Sequence, residues 1–277
     1  MRTRGVVIVT GGTRGIGAEV AVEAAKTGQD IVVGYMDPKK EKRAKQVVER
    51  IEHVGASALA FRGDLTEPGT IDQLLHDASL FATRRHRDIV GLVLNAAGGL
   101  EQDRDEDYAL HVNAVAPWAL ATKLLADQRI KEVRTRTDIV YVTSNPSHFY
   151  EDPRNAMPSE GYDRVARSKH AGEVALRTGL PRFADLDYRL LVATADLVDD
   201  TAGARLLRIA HRRSTGGAGP DLLTQRSEQL SELIGRGVTD AAEFGLQIVT
   251  VMNNDRLPSG HTLYVPTPVL GETIVAP

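Results

Sequence analysis

The sequence predicts an α/β fold: one doubly wound domain with a seven-stranded parallel sheet and helices on both faces. Three observations carry this. Short apolar, β-branched runs recur along the chain, segments of helical period separate them, and the first run passes through a glycine-rich turn straight into a helix. Strands of a parallel sheet covered on both faces are apolar throughout, and these runs have that character. A chain of 277 residues is long enough to bury one large core, so the expectation is a single domain over 1–277.

Val6, Val7, Ile8 and Val9 form the first strand. Gly11, Gly12, Gly15 and Gly17 make the turn, and the Ala-rich stretch 18–26 is a helix that Gly28 closes. Residues 30–33 are the second strand. The charged stretch 38–53 is an amphipathic helix that turns Val47, Val48 and Ile51 inward and stops at Gly55. The pattern continues as strand 58–61, helix 70–81, strand 89–94, a long helix 108–125, strand 138–143, helix 164–178, strand 188–194 and a seventh strand at 262–265. Residues 212–220 are Gly-rich and lead into a helix at 222–234, so 201–237 is expected to form a mobile lid over a substrate. In such sheets ligands sit beyond the carboxyl ends of the strands, at the topological switch point.

Composition narrows the function classes. A charged fraction of 26% and a net charge of −3 give no electrostatic footprint for nucleic acid or an anionic membrane, which leaves a small molecule as the expected partner. The chain has no cysteine, so disulfides, thiolate nucleophiles and cysteine-ligated metals are excluded, no metal is expected, and a reducing cytoplasm is the expected location. The charged lead from Met1 to Gly5 is followed by an apolar run too short for a signal peptide. No apolar run approaches the roughly 20 residues needed to span a bilayer.

The turn itself reads Thr10-Gly11-Gly12-Thr13-Arg14-Gly15-Ile16-Gly17. Glycines let the backbone approach a pyrophosphate closely, and the helix N-terminus offers unpaired N–H groups and a positive partial charge. A dinucleotide is therefore the expected ligand of the turn. Further on stand Asp64-Leu65, Asn95-Ala96-Ala97-Gly98 and His111-Val112-Asn113. With these the sequence resembles the short-chain dehydrogenases/reductases through nearly the whole chain. The resemblance implies a Rossmann-type sheet, NAD(P)-linked oxidoreduction and assembly into homodimers or homotetramers. It makes Thr10, Gly11, Gly15 and Gly17 the family's TGxxxGxG turn, with Thr13, Arg14 and Ile16 inside it. It likewise makes Asp64 and Leu65 adenine contacts, Asn95, Ala96, Ala97 and Gly98 the family's NAAG, and Asn113 its helix-borne catalytic asparagine. Where an NAD site usually places a carboxylate at the end of the second strand, this chain has Tyr35. Arg14, Lys39 and Lys40 are able to bind a 2′-phosphate, which favours NADP over NAD although Asp37 opposes them.

The family's catalytic set is incomplete here. Ser144 matches the serine that polarises the substrate carbonyl, and Lys169 matches the lysine that holds the nicotinamide ribose and lowers the pKa of a tyrosine four residues before it. Val165 occupies that position. Tyr162 lies seven residues before Lys169, a rise of about 10 Å along a helix, so it serves only if it precedes the helix and folds back. Gly161 and Asp163, the latter as N-cap, suit such an entry. The long loop after Ser144 also carries His148 and Tyr150, so the proton source stands open between Tyr162, Tyr150, His148 and water. After the sixth strand the family's Pro-Gly is replaced by Ala195-Asp196-Leu197-Val198, which sets a carboxylate near the nicotinamide, and Thr201 matches the family's carboxamide-binding threonine. The leading expectation is an NADP-dependent carbonyl or enone reductase acting on a small metabolite. Its alternatives are a non-redox cyclase, lyase or isomerase on the same fold, and a non-catalytic dinucleotide-binding module.

Overall fold

The computed structural model describes residues 3–100, 106–153, 155, 160–217, 221–234 and 237–265. Its centre is a seven-stranded sheet of β1 (Val6–Val9), β2 (Asp30–Tyr35), β3 (Ala58–Arg62), β4 (Ile89–Leu94), β5 (Thr137–Ser144), β6 (Tyr188–Ala195) and β9 (His261–Val265), in the order β3-β2-β1-β4-β5-β6-β9. Every neighbouring pair is parallel. The chain builds outward from β1 through β2 to β3, then crosses back to lay β4 on the other side of β1. The switch point thus lies between the carboxyl ends of β1 and β4, where the glycine turn and Asn95 begin.

Alternation along each strand divides the core into two layers. Val7 and Val9 point to one face, with Val20 and Ala24 of α1 (Gly15–Lys26), Val47 and Ile51 of α2 (Glu41–His53), and Phe244 and Ile248 of α10 (Ala241–Met252). Val6 and Ile8 point to the other, with Leu74 of α3 (Thr70–Arg84), Leu120 and Leu124 of α5 (Ala116–Ile130), and Leu176 of α7 (Asp163–Gly179). In α2 the inward set is Ala44, Val47 and Ile51, while Val48 is only half-buried. The expected helix at 108–125 is three pieces: α4 (Glu106–Leu110), a π-helical turn (His111–Val115) and α5. Pro117 has no N–H to offer the carbonyl of Asn113 four residues back, and the widened turn accommodates it. That carbonyl accepts a hydrogen bond from the Tyr141 hydroxyl instead, at 2.7 Å.

The helix expected at 222–234 is present as α9, and several further elements were not expected from the sequence. The helices α8 (Ala202–Ser214) and α9 (Leu222–Ile234) lie between two short parallel strands, β7 (Val198–Asp199) and β8 (Thr239–Asp240), and α10 then crosses over to β9. The short helix α6 (Asn145–His148) follows β5 directly. Asp163 is the first residue of α7 and not its cap, a position held by Tyr162 without a side-chain bond. Among the described residues no helix is long and apolar enough to cross a membrane.

One ion pair closes the C-terminal half of the sheet. Arg189 of β6 donates to both carboxylate oxygens of Asp138 on β5 at 2.9 Å, with both side chains almost fully buried, and its remaining N–H groups bond to carbonyls at the end of α10, including Met252 at 2.9 Å and Asn254 at 2.6 Å. Arg189→Ala leaves the Asp138 charge buried without its nearest partner. The expected loss is about 3–5 kcal/mol of stability, read from urea unfolding of the two proteins.

Candidate active site

The site is assembled at the switch point. Thr10 follows β1, and its Oγ1 accepts from the backbone N–H groups of Asn95 and Ala96, both at 3.0 Å, while donating to the Val93 carbonyl. Asn95 answers with its side chain, whose Nδ2 donates to the carbonyls of Thr10 and Gly11 at 3.1 Å. The amide of Asn95 therefore holds the glycine turn in shape. Helix α1 opens directly from that turn. Arg14 at its cap makes no side-chain capping bond, and the first turn carries no acidic residue, so the N–H groups there suit an anion.

A cleft of about 560 Å³ runs from this turn across the ends of the strands. Gly11, Thr13, Arg14, Gly15 and Ile16 line its middle. Tyr35, Met36, Asp37, Lys40, Asp64 and Leu65 line one end, and Ser144, Tyr162 and Lys169 the other, with Asn95, Ala96, Ala97 and Gly98 between. Lys39 and Gly17 are not on its wall; Gly17 is buried behind the turn. An elongated cleft with phosphate-binding backbone at its centre fits a dinucleotide, and these residues would hold one.

Asn113 also stands behind the wall, buried in the π turn. Its Nδ2 donates to the Gly98 carbonyl and to Ser168 Oγ, each at 2.9 Å, and its Oδ1 accepts from the Gly98 N–H at 3.3 Å. It ties the end of the Asn95 loop to α7. That helix lies hard against the π turn at Gly172, where a Cβ would come within 2.3 Å of the Asn113 carbonyl oxygen. The close approach sets Lys169 behind the end of β5, where its Nζ donates to the Val142 carbonyl at 2.9 Å.

Tyr162 precedes α7, in a 3₁₀ turn (Glu160–Tyr162), and folds back over β5. Its hydroxyl lies 2.8 Å from Ser144 Oγ. Ser144 Oγ is in turn 2.8 Å from Ser147 Oγ, a fully buried hydroxyl in α6 that the sequence reading passed over. Burial raises the pKa of Tyr162 above the ordinary phenol value and the nearby Asp196 charge adds to this, against the pull of the Ser144 and Ser147 hydroxyls. Burial also brings Lys169 down from 10.5 to about 8.

The other expected proton sources point elsewhere. His148 is held by the Glu173 carboxylate at 2.8 Å and by the Tyr264 hydroxyl at 3.0 Å, while Tyr150 donates to Asp163 at 3.1 Å, and neither residue lines the cleft. Thr201 does line it, but its hydroxyl caps α8, accepting from Ala204 N–H and donating its one proton to the Val198 carbonyl. Asp196 is paired with Arg226 of α9 through two bonds of 2.6 and 3.0 Å. Leu197, Ala204 and Leu207 close over Tyr162, Val165 and Ala166 as an apolar cluster. Of these, Ser147 had a local signal: it stands one helical turn after Ser144, behind the helix-starting pair Asn145-Pro146. Arg226 had none, because its contact joins residues 30 apart.

Sheet order, switch-point cleft and glycine turn together define a Rossmann-type α/β protein. The chain belongs to the short chain dehydrogenase family, whose model matches residues 5–155. That match ends before Tyr162 and Lys169. A hydroxynaphthalene reductase-like protein of Metarhizium majus is 41% identical over 158 residues, and one of Metarhizium guizhouense is 32% identical over 155, each match covering 55% of both chains. The chain thus spans about half the length of the curated relatives it matches. Among solved structures it is similar to an actinorhodin polyketide ketoreductase with NADPH, at TM-score 0.72 and 17% identity, covering 96% of this chain and 97% of the other. A 7α-hydroxysteroid dehydrogenase with NADH and 7-oxo glycochenodeoxycholic acid superposes with TM-score 0.72 at 19% identity, over 95% of this chain and 94% of that one. These structures share the fold.

The depressed pKa of Lys169 has a consequence for stability. Between about pH 8 and 10.5 the unfolded chain binds a proton at this side chain that the folded chain does not. Stability therefore gains up to about 1.4 kcal/mol per pH unit from Lys169 as pH rises through that window, and below it the buried ammonium is a constant cost. In urea unfolding from pH 8 to 10.5, Lys169→Met should remove that contribution from the slope.

Proposed function

We propose that this protein is an NADPH-dependent reductase that delivers hydride to a carbonyl, or to an activated double bond, of a small apolar molecule. The observation that carries the reading is the 2.8 Å contact between Ser144 Oγ and the Tyr162 hydroxyl at the far end of the phosphate-turn cleft. Two hydroxyls side by side suit one acceptor oxygen: Ser144 donates a hydrogen bond to the substrate oxygen, and Tyr162 gives it a proton. The bound nicotinamide would supply the hydride. A phenol whose pKa lies above its usual value is protonated at neutral pH, which suits an acid and hence the reductive direction. Lys169, which lines this end of the cleft, would hold the nicotinamide ribose, and its ammonium favours negative charge in the site.

NADPH is favoured over NADH by the end of the cleft beyond β2. Tyr35 stands where a ribose-binding carboxylate would repel a phosphate, Lys40 lines the same end, and Arg14 lines the adjoining middle of the cleft. Of the two acids at that end, Asp37 is turned onto its own chain, accepting from the Lys39 N–H at 2.9 Å and pairing with Lys40 at 3.4 Å, and Asp64 accepts from the N–H and the hydroxyl of Thr66. The substrate space is walled by Leu100, Val165, Leu197 and Leu207, which supports an apolar substrate. Of the lid expected over 201–237, residues 218–220 and 235–236 lie outside the described residues, and helices α8 and α9 act as the cover, latched by the pairing of Arg226 with Asp196. The relatives named as reductases, and the ketoreductase among the structural neighbours, support reduction as the direction. A homodimer or homotetramer in the cytoplasm belongs to the same reading.

The test is a fluorescence titration with NADPH and NADH followed by a panel of carbonyl acceptors. NADPH should bind more tightly and be oxidised by an apolar ketone or quinone. Tyr162→Phe should then lower kcat by about 10²- to 10⁴-fold with NADPH affinity unchanged. Binding without oxidation by any acceptor would instead favour the non-redox enzyme, a reading consistent with Val165 and with the Lys169 ammonium donating to the Val142 carbonyl.

A further inference from the structure

We propose that Ser147 is a positioning residue of this site, donating its proton to Ser144 Oγ so that the protons of Ser144 and Tyr162 are both directed at the substrate oxygen. The inference rests on the reductase reading above. Three hydroxyls stand in series, Ser147 to Ser144 and Ser144 to Tyr162, each step 2.8 Å. Each hydroxyl has one proton to donate and can accept more than one. A lone Ser144–Tyr162 pair satisfies itself only by pointing one proton at the other oxygen, which withdraws that proton from the cleft. When a carbonyl oxygen takes both protons, Ser144 Oγ is left with accepting capacity in a largely buried place. Ser147, with 0% exposure and its oxygen already at Ser144, supplies the missing donor.

The local structure holds Ser147 to that task. It lies three residues after Ser144, one turn along a short helix that starts at Asn145-Pro146, so the two side chains share a face. Its backbone carbonyl accepts from His170 Nδ1 of α7 at 3.2 Å and from the Tyr150 N–H at 3.3 Å, which clamps the residue from two sides. The Lys169 ammonium donates to the Val142 carbonyl, leaving neighbouring hydroxyls as hydrogen-bond partners of the Tyr162 oxygen. A hydroxyl that accepts a bond donates more strongly, so Ser147 strengthens Ser144 as a donor. In the reductive step a bound reduced dinucleotide would supply the hydride for the new C–H bond and be oxidised, and Tyr162 gives its proton to the carbonyl oxygen, whose π pair takes it to make the alcohol. The Tyr162 phenolate that remains accepts from Ser144 while Ser147 continues to donate to Ser144.

Ser147→Ala in the full-length protein should lower kcat about ten- to hundredfold, with NADPH affinity by fluorescence and substrate KM unchanged. The Tyr162 ionisation, isolated as the ultraviolet difference spectrum against Tyr162→Phe in the same Ser147 background, should move up by about one pH unit, because the phenolate loses support. This spectroscopic arm needs no substrate. An unchanged kcat together with an unchanged Tyr162 ionisation would overturn the role of Ser147, as would a loss confined to NADPH affinity and thermal midpoint. If Tyr162→Phe itself turns over like the wild type, the fault lies with the tyrosine reading and not with Ser147 alone.

Discussion

The hydroxyl of Thr10 is the contact on which the cleft depends. It joins the end of β1 to β4 by one hydrogen bond and to the loop after β4 by two, across the place where the sheet changes direction. With the Asn95 amide returning two more to the turn, the glycine turn and the loop after β4 are joined as one piece. The apolar layers on either side of the sheet fix where β1 and β4 run. These few polar bonds fix how their ends meet, in a position where the backbone groups have no ladder partner.

A second constraint places Lys169 beside the end of β5. Pro117 cannot donate to the Asn113 carbonyl, the helix widens into a π turn, and the Tyr141 hydroxyl shares its one proton between that carbonyl at 2.7 Å and the carbonyl of Lys169 at 3.0 Å. One buried tyrosine of β5 thereby ties the π turn to α7 at the residue that bears the ammonium. Asn113 joins the same two elements from its side chain through Ser168. The irregularity in the helix is thus part of the scaffold beneath the site.

Much of the fold was legible because each inner strand is a short run of Val, Ile and Leu, and because the glycine turn lies between a strand and a helix. The glycine turn that lines the cleft was legible for the same reason, since backbone and glycines shape it and their spacing is local. α10 escaped notice because its last turns, Ile248-Val249-Thr250-Val251, read as a strand, and because Gly245 weakens the helical pattern. The glycine is there for packing: a Cβ would meet Glu19 Cβ at 2.8 Å and the Val20 nitrogen at 3.0 Å on α1. At the reacting end, the roles of Asp196, Thr201 and His148 were legible only as residue types. Their partners, Arg226, Val198 and Glu173, come from other elements or from caps, and no spacing announces them. The pairing of Tyr162 with Ser144 was stated only as a condition on the chain's path, and the path is set by tertiary packing.

The placement of Tyr162 bears on how such sites are sought. A tyrosine four residues before a lysine is a description of two side chains on one regular helix, and a pattern written that way reads this chain as having valine for a catalytic group. The hydroxyl beside Ser144 comes instead from the tight turn that leads into the helix, while Val165 adds its branched methyls to the wall. Geometry at the serine oxygen is therefore the better query for chains of this kind, and sequences set aside for a broken motif merit sorting again by what their coordinates bring within reach of that oxygen.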